Sequence, residues 1–339
     1  MKKLTMQALA DEMGVSRITV WKALSQRSGV SPALRQKILS RAQEAGMLEA
    51  PPAEKPKRVI AAAVSRPESS AFWMQIIHHL AKELAKHGAG LMYVYIPTRY
   101  TEGYALPPAL REQAEAFLVL NVYDETLLRM MASLKTPRVF LDTVPSLPAE
   151  ALGGDLVILE SREPIRRIAG RLLDGGIEKL GFIGDAMYAR TNLERWLGFQ
   201  DAHRERGLMW DERLCLTGRL GIDTYYPQIK DFLDGLDPLP GALVCASDFI
   251  VSCVRRYFRE TGRPVPARFV LTGYDNDPEY REASAQITTV NVDTASLGQR
   301  LAQKLLFLSE HPDAPAEVSF VSARVLYRGA LAEPDQKEI

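Results

Sequence analysis

The chain has 339 residues, of which 46% are hydrophobic, and its 42 basic side chains balance 42 acidic ones. This length predicts two or three domains, and no segment approaches the roughly 18 consecutive apolar residues of a membrane span. The start of the chain lacks the apolar run of a signal peptide, so we expect a cytoplasmic protein with no membrane partner. The spacing of Cys215, Cys245 and Cys253 fits neither a zinc site nor a redox pair, and we expect buried thiols.

The balanced net charge hides an uneven distribution along the chain. Residues 1–58 contain eleven Lys or Arg and five Asp or Glu, a net charge of +6, so residues 59–339 carry −6. A basic segment joined to an acidic one is typical of a polyanion-binding domain tethered to a domain that does not bind nucleic acid. Solvated helical faces also carry lysines, so the charge split favours such a domain only together with a matching helix pattern.

Residues 1–47 are predicted to form a small helical head. A hydroxyl side chain that can cap a helix starts each of three helical segments, Thr5 to about Met13, Ser16 to about Ser25, and Ser31 to about Gly46. Gly14 can supply the left-handed conformation that ends the first helix. Only three residues separate the first two helices, which is the helix-turn-helix connection. The alternative is a purely structural helical bundle, but the tight turn and the basic bias occur together.

In a helix-turn-helix, the second helix enters the major groove with its N-terminal residues at the base edges. Arg17 and Ile18 start the exposed face of that helix, and Lys22 lies one turn further on. Arg17 and Lys22 can donate to guanine O6 and N7, whereas Ile18 offers only apolar contact, for instance to a thymine methyl. Contacts to phosphate oxygens position a protein on DNA without reading its sequence. We expect the hydroxyls of Thr5, Ser16 and Thr19 to make such contacts.

The head resembles that of the lactose/galactose-repressor family. The matching strings are LTMQALADEMGVSRITVWKAL (4–24), GVSP (29–32) and RQKI (35–38). In that family the positions that match Arg17, Ile18 and Lys22 read operator bases, in agreement with the geometry above. Trp21 is a departure, since a small serine usually stands there, and its ring would either pack on the sugar-phosphate backbone or fold back onto the head.

The match to the family fails between the head and the body. Residues 48–58 read LEAPPAEKPKR, a proline-rich and charged sequence that predicts an extended linker. The family usually carries a hinge helix here, with a leucine that wedges into the minor groove, and this segment lacks that pattern. We therefore expect weaker bending of the operator than in the family.

The body, residues 59–339, alternates strand-like runs with amphipathic helices, which predicts parallel sheets covered on both faces. The predicted strands are 59–64, 91–96, 117–120, 138–141, 156–159, 180–183, 242–246 and 269–272. The predicted helices are 72–87, 124–134, 161–174, 189–206 and 247–261. We expect two doubly wound lobes with a ligand in the cleft between them. The lobes are placed at about 59–155 with 294–317, and at about 160–290 with 318–329.

From residue 59 to about 327 the body resembles the same family. The matching strings are SAFW (70–73), VFLD (139–142), GIEKLGFIG (176–184), RWLGF (195–199), ASD (246–248), GYD (273–275) and ITTV (287–290). The resemblance implies an all-α helix-turn-helix head joined to an α/β, two-lobed body like the type I periplasmic binding proteins, with parallel doubly wound sheets.

Four positions carried over from the family would face an effector. Asp142 and Asp275 each follow a strand and could accept hydrogens from sugar hydroxyls, although a helix cap or a surface ion pair is the plainer interpretation. Arg195 matches an arginine that grips ligand oxygens. Ser247 stands where an asparagine is common, which suggests altered hydrogen bonding, and Asp248 is expected to cap the following helix.

Four aromatic side chains could stack on a sugar. Phe72 and Trp73 open the first body helix, and Tyr188 and Tyr225 are predicted to lie in loops near strand ends. Core or rim packing is the alternative for each of them. Together with the four positions above, they complete the predicted effector site.

No motif in the sequence points to an enzyme. There is no GxGxxG, no P-loop lysine, no cluster with metal spacing and no Ser-His-Asp set, so we expect no catalytic residue, metal or cofactor. We expect a homodimeric repressor that binds a palindromic operator and senses a sugar or sugar derivative. A purine or nucleoside effector, a solute-binding protein without regulatory role and a sugar-converting enzyme with an accessory head are the alternatives.

Overall fold

The computed structural model describes residues 5–25, 27–45, 47, 58–66, 70–221, 224–280 and 285–332. The chain divides into two compact units, residues 1–55 and 56–339. We call them the head and the body and describe each by itself. Within the described ranges, no helix is long and apolar enough to cross a membrane.

Three helices form the head: α1 (Met6–Met13), α2 (Arg17–Leu24) and α3 (Pro32–Glu44). Each begins after a hydroxyl that accepts a backbone N–H of the first turn, namely Thr5 from Ala8, Ser16 from Thr19 and Ser31 from Leu34, at 3.0–3.3 Å. Gly14 ends α1 with φ +66°, a left-handed conformation that glycine adopts without strain. These local signals explain why the helices begin and end where the sequence predicts.

The three helices of the head close over one small apolar core. Its fully buried members are Leu9, Ala10, Val20, Ala23, Ile38 and Ala42. The alanines among them let the helices approach closely, because they place little volume at the crossing points. The apolar sides of the helices are therefore turned inward, and the N-terminal part of α2 keeps an exposed face.

In the body, strands and helices alternate along the chain. The strands are β1 (Arg58–Val64), β2 (Ala89–Tyr95), β3 (Ala116–Leu120), β4 (Arg138–Leu141), β5 (Asp155–Leu159), β6 (Leu180–Ile183), β7 (Cys215–Leu216), β8 (Ala242–Cys245), β9 (Val270–Thr272), β10 (Thr289–Asn291), β11 (Val318–Val321) and β12 (Arg324–Leu326). The helices are α4 (Ala71–Lys86), α5 (Ala109–Glu112), α6 (Glu125–Ala132), α7 (Arg162–Asp174), α8 (Arg190–Arg204), α9 (Tyr225–Asp234), α10 (Asp248–Thr261) and α11 (Thr294–Glu310).

Two parallel sheets define the two lobes of the body. The first lobe is built on a six-stranded sheet in the order β11-β5-β4-β3-β1-β2, and the second on a four-stranded sheet in the order β7-β6-β8-β9. All neighbours within these two sheets run parallel. A short antiparallel pair, β10 with β12, follows the second sheet, with bridges from Thr272 to Thr288 and from Asp275 to Asn291. The predicted parallel, doubly wound α/β architecture of the body is confirmed.

The end of the chain corrects the predicted division between the lobes. Residues 318–329 were expected on the second lobe, but β11 pairs with β5 at the edge of the first sheet, where Val318 lies beside Leu156. The approach to β11 is fixed by Glu317, whose N–H donates to Asp155 Oδ1 at 3.1 Å and whose carbonyl accepts from Leu156 N at 2.9 Å. Only after Val321 does the chain cross to pair with β10.

The predicted linker is one residue too long at its end. Arg58 is the first residue of β1, and its guanidinium forms ion pairs with Glu115 at 3.2 Å and with Glu310 at 2.8 Å. These pairs tie the start of the first sheet to the end of α11, so Arg58 belongs to the body. Residues 48–57 lie outside the described residues, and the missing hinge-helix pattern remains a prediction.

Helix packing fixes the side of α8 that faces the cleft. Gly198 lets α8 cross α7 so closely that a Cβ atom there would overlap the backbone of Arg162. Further along the same helix, the rings of Trp196 and Phe199 stack at 5.4 Å and pack against Phe182 of β6. The helix is therefore held at two points, and its first turns are fixed at the carboxyl end of the second sheet.

Candidate functional site

The exposed face of α2 carries the residues that were predicted to read DNA. Ile18 is 65% exposed, an unusual state for an isoleucine on a helix, and Arg17 beside it is also exposed. Lys22 is partly exposed one turn further on. The structure therefore places the three predicted base-reading side chains on α2, and two of them are fully on the surface.

Predicted phosphate-binding hydroxyls also serve as helix caps. Thr5 Oγ1 and Ser16 Oγ each accept a backbone N–H, and Ser16 and Thr19 share a hydrogen bond of 2.8 Å between their side chains. A hydroxyl that accepts a hydrogen bond still has its own hydrogen to donate. Capping and phosphate contact are therefore compatible at Thr5, and one O–H of the Ser16–Thr19 pair is directed at the other oxygen.

Trp21 keeps 47% of its surface exposed. Its ring is not among the side chains that pack on the apolar core of the head. About half of its surface is therefore accessible, and packing on the sugar-phosphate backbone stays a prediction. The ring lies on the same helix as Arg17 and Lys22 and is open to contact.

The basic residues of α3 have separate roles. The guanidinium of Arg35 donates to the carbonyl oxygens of Lys22 and Ala23 at 3.5 Å, at the end of α2, where carbonyls lack helical partners. Arg41 pairs with Glu12 of α1 at 2.6 Å. Lys37 is exposed. Arg35 and Arg41 therefore hold the head together, and Lys37 is the α3 side chain best placed to add charge to a binding surface.

All eight predicted effector residues line two adjoining cavities between the lobes of the body. The inner chamber has a volume of about 190 Å³, and the residues that line it alone include Asp142, Thr191, Asn192 and Arg195. The outer chamber has a volume of about 230 Å³, and the residues that line it alone include Arg66, Thr98, Phe249, Asp277 and Tyr280. Both chambers are lined by Ser70, Trp73, Asn121, Tyr123, Tyr188, Tyr225, Ser247 and Asp275.

Asp142 follows β4 and joins the two lobes. Its Oδ1 accepts the N–H of Thr143 at 2.8 Å and that of Thr191 at 3.3 Å. Its Oδ2 accepts the hydroxyls of Thr191 at 2.5 Å and Tyr123 at 3.4 Å. A carboxylate offers about four acceptor sites, so protein donors already fill them. We call this contact between Asp142 and Thr191 the interlobe latch, and Arg190 N reinforces it by donating to Thr143 O at 2.7 Å.

This role of Asp142 was not predicted from the sequence. The residue was expected to accept sugar hydroxyls, and it does line the inner chamber, but Thr191 lies 49 positions away and no local pattern connects the two. Burial raises the pKa of the Asp142 carboxyl, while the hydrogen bonds from Thr191 and Thr143 and the charge of Arg195 oppose that rise. A ligand hydroxyl would have to share or replace one of these donors.

Asp275 presents a more open carboxylate. It lies three residues beyond β9 with φ +100°, a strained conformation for a residue with a side chain. Its side chain keeps 21% of its surface accessible, and Oδ1 lies 3.7 Å from Arg195 Nη2. Burial raises the pKa of Asp275 to about 6, Arg195 lowers it and Asp277 raises it further. Because few donors surround it, this carboxylate can accept hydrogens from a ligand in either chamber.

Arg195 is held rigidly with donors to spare. The Nη1 group donates to the carbonyl of Ala246, and the guanidinium lies 3.6 Å from the centre of the Tyr274 ring. Its Nε is buried and has no hydrogen-bond partner among the described residues. Since Nε is closed to solvent, the group of this guanidinium that a ligand could reach is Nη2, which lies 3.7 Å from Asp275 Oδ1. Arg195 therefore lines the inner chamber as expected, and its contact with ligand oxygens stays a prediction.

The cap at the start of α10 is Ser247, not Asp248 as predicted. Ser247 Oγ accepts from Ile250 N at 3.3 Å, which leaves the hydroxyl hydrogen for the cavity. Asp248 is completely buried and accepts from Thr289 Oγ1 at 2.8 Å and from Asp277 N at 3.0 Å. Burial raises the pKa of Asp248 to about 7. Asp248 therefore fixes the loop that carries Asp275 rather than the helix.

Aromatic side chains form much of the cavity wall. Phe72 is 6% exposed, lines only the inner chamber and contacts Trp73 edge to face at 4.9 Å, while Trp73 lines both chambers. Tyr188 packs against Tyr123 at 4.5 Å. Tyr225 was expected in a loop but is the first residue of α9. Burial raises the pKa of Tyr188 to about 12, so its hydroxyl stays protonated and can donate.

Three lining aromatics escaped the sequence analysis. Tyr123 follows β3 by three residues, a position at the carboxyl end of a parallel strand that could have identified it. Phe249 and Tyr280 carry no comparable signal, because their place in the wall depends on how the loop after β9 folds over α10. Among the described residues, no group of three or more His, Cys, Asp or Glu is arranged to hold a metal ion.

Comparisons with known proteins agree with this architecture. Residues 169–331 match the family described as periplasmic binding protein-like domain. The HTH-type transcriptional regulator Rv3575c of Mycobacterium tuberculosis is 24% identical over 367 residues, which cover 98% of both chains. The HTH-type transcriptional regulator CelR of Thermobifida fusca is also 24% identical, over 323 residues that cover 90% of this chain and 92% of CelR.

Solved structures show the same fold. A CelR–cellobiose complex superposes with a TM-score of 0.68 at 21% identity and covers 96% of this chain and 99% of CelR. A lac repressor dimer bound to operator and an anti-inducer gives 0.66 at 18% identity, over 98% of this chain and all of that one. The predicted fold class and family resemblance are thereby confirmed. Over nearly its whole length this chain is similar to proteins named as HTH-type transcriptional regulators, in agreement with the family resemblance of its sequence.

Proposed function

We propose that the protein is a transcriptional repressor whose affinity for an operator is changed by a sugar or sugar derivative bound in the two chambers. The observation that carries the effector part is the pairing of Arg195 and Asp275 in one cavity, where Nη2 of the guanidinium lies 3.7 Å from an open carboxylate. A sugar hydroxyl can accept from the first and donate to the second at once. Flat aromatic walls complete a site suited to a ring with polar edges.

The head supports the DNA-binding part of the proposal. Arg17, Ile18 and Lys22 on α2 would contact base edges in the major groove, while Thr5, Ser16 and Thr19 would contact phosphates. One head contacts too few bases for useful specificity, so two copies of the chain would bind a palindromic operator. A dimer on an operator is described for the related lac repressor.

Effector binding would act through the interlobe latch. Asp142 joins β4 of the first lobe to the start of α8 in the second, and Arg195 lies one helical turn beyond Thr191. A ligand that engages Arg195 and Asp275 therefore acts on the segment that holds the lobes together. We propose that it shifts the balance between two lobe arrangements and with it the spacing of the heads in the dimer.

The test uses the intact chain and fluorescence anisotropy. A labelled duplex from the region upstream of the gene is titrated at several salt concentrations, with scrambled duplex as control and with mono- and disaccharides as additions. The proposal expects a salt-sensitive, sequence-selective complex whose affinity changes at least several-fold with one saccharide. A complex that forms equally on scrambled DNA, or that no saccharide alters, contradicts it.

A nucleoside is the second candidate effector. The two chambers share tyrosines at 123, 188 and 225, and a purine base could stack on these rings as a sugar does. Nucleosides and free bases therefore belong in the same titration. A response to them and not to any saccharide would favour this candidate.

A further inference from the structure

The outer chamber has a wall of a different character from that of the inner one. Three rings of the second lobe follow one another along it: Tyr225 contacts Phe249 at 5.5 Å, and Phe249 contacts Tyr280 at 5.9 Å. Phe249 remains 39% exposed despite these neighbours. A phenyl ring that faces open cleft loses the free energy that burial would provide. Phe249 therefore offers an accessible ring face to a ligand in the outer chamber.

Polar groups surround this aromatic row without replacing it. Arg66, Thr98 and Asp277 line the outer chamber together with Phe249 and Tyr280. Flat rings beside donors and acceptors suit a pyranose, whose C–H face packs on an aromatic ring while its edge hydroxyls form hydrogen bonds. The inner chamber offers Arg195 and, at the junction of the two chambers, Asp275.

The volumes indicate how many rings the site holds. Each chamber, at about 190 and 230 Å³, is smaller than the roughly 300–1,000 Å³ of most small-molecule sites. The two together fall within that range, and eight shared residues make them parts of one site. A single sugar ring held by Arg195 and Asp275 would leave Phe249 and Tyr280, which line only the outer chamber, uncovered.

We infer that the effector is a disaccharide, with one ring in the inner chamber between Arg195 and Asp275 and the second ring on Phe249 and Tyr280 in the outer chamber. This inference rests on the proposed function, since it specifies the sugar that the site senses. It assigns Phe249 and Tyr280 the selection of a two-ring over a one-ring ligand. Neither residue is needed to hold the first ring.

Calorimetry on the full-length protein tests the inference with matched sugars. Each disaccharide is compared with its own monosaccharides: cellobiose and maltose with glucose, and lactose with glucose and galactose. At least one disaccharide is expected to bind about tenfold more tightly than its monosaccharides, which is the scale of one good aromatic contact. Phe249→Ala is expected to remove that advantage and to leave monosaccharide affinity within about twofold.

A matched control variant separates the aromatic wall from general effects of losing a phenyl ring. Phe307→Ala removes a phenyl ring that is 52% exposed on α11 and does not line either chamber, and it should leave all affinities unchanged. Tyr280→Ala provides a second variant of the wall and should act like Phe249→Ala. Thermal melting of each variant confirms that the fold is retained.

Four results would overturn the inference. If monosaccharides bind as tightly as every disaccharide, the proposed function stands but the effector needs no second ring. Equal losses of mono- and disaccharide affinity in Phe249→Ala would give Phe249 no role in selecting ring number. If Phe249 strengthens the binding of a p-nitrophenyl monosaccharide but of no disaccharide, the group that packs on Phe249 is an aryl group and not a second sugar ring. Absence of binding by all saccharides would end the proposed function as well.

Discussion

The head and the cleft present their candidate residues in opposite ways. On α2, Ile18 is 65% exposed, whereas in the cleft Asp142 and Arg195 are only 5% and 6% exposed. A surface that meets a large, rigid duplex must present its side chains outward, and each contact then adds its own increment. A site that encloses a small ligand must remove polar groups from water, so those groups depend on one another. Substitutions in the head should therefore cause graded losses, and those in the cleft should remove a whole response.

The largest effect is expected from Arg195→Ala. Loss of the buried guanidinium removes charged hydrogen bonds worth about 1.5–3 kcal/mol each, so effector affinity should fall at least about a hundredfold and the operator response should disappear. Operator affinity without effector should be unchanged. Calorimetry and anisotropy measure the two quantities, and Arg204→Ala, an exposed arginine on the same helix, is the control. A variant that responds normally would mean that the effector site lies elsewhere.

The next effect is expected from Lys22→Ala on α2. If Lys22 donates to a guanine, its loss should reduce the preference for operator over scrambled DNA by about 1–3 kcal/mol. Binding to scrambled DNA should change little. Competition titrations with both duplexes give the ratio directly. Equal losses of affinity for the operator and for scrambled DNA would assign Lys22 to a phosphate contact instead of a base contact.

A smaller effect concerns pH and Asp275. The pKa of this carboxyl is raised to about 6 by burial, and only the ionised form can accept hydrogens at both oxygens. Effector affinity should be constant above pH 7 and fall as pH drops through 6, by about tenfold at pH 5. Asp275→Asn should bind more weakly at pH 8 and lose this dependence. Affinity that is level from pH 5 to 8 in the natural protein would speak against a ligand contact at Asp275.

The interlobe latch should have a modest effect on stability. Thr191→Val removes one hydroxyl donor from the buried Asp142 carboxylate and keeps the backbone N–H, a loss of about 1 kcal/mol. The melting temperature should fall by about 2–4 °C. Thr98→Val, in the outer chamber, is the matched control. An unchanged melting temperature would show that the hydroxyl does not stabilise the closed lobes.

The smallest and most uniform effect is expected from Lys37→Ala on α3. A lysine that contacts phosphate contributes equally to every sequence, so operator and scrambled DNA should weaken alike. The slope of log affinity against log salt should decrease by about 1. A loss confined to the operator would place Lys37 at a base edge instead.

The head could be predicted almost completely from sequence because its signals are local. Thr5, Ser16 and Ser31 cap the helices that follow them, and Gly14 ends α1, all within a few residues. What escaped prediction there is Arg35, which reaches back to the end of α2 across 12 and 13 positions.

The body shows where local patterns stop being informative. The eight strands and the eight effector positions named above were predicted from periodicity and resemblance, but several finer assignments were wrong or incomplete. The sequence of β11 is typical of a strand but does not indicate which sheet the strand joins. Its pairing with β5 places it in the first sheet. Ser247 and Asp248 are both common helix caps, and the burial of Asp248 against Thr289 determines which one acts. The hydrogen bonds that fill the acceptor sites of Asp142 likewise depend on Thr191, which the packing of α8 brings next to the carboxylate.

The most direct measurement is an anisotropy titration of the intact chain against its own upstream DNA, compared with a duplex in which the half-sites are scrambled. The account predicts a complex that forms at least about a thousandfold more tightly on the natural duplex at physiological salt, and that weakens selectively when Arg17 or Lys22 is replaced. Equal affinity for both duplexes, unaffected by either replacement, would contradict the assignment of α2 as the helix that reads DNA.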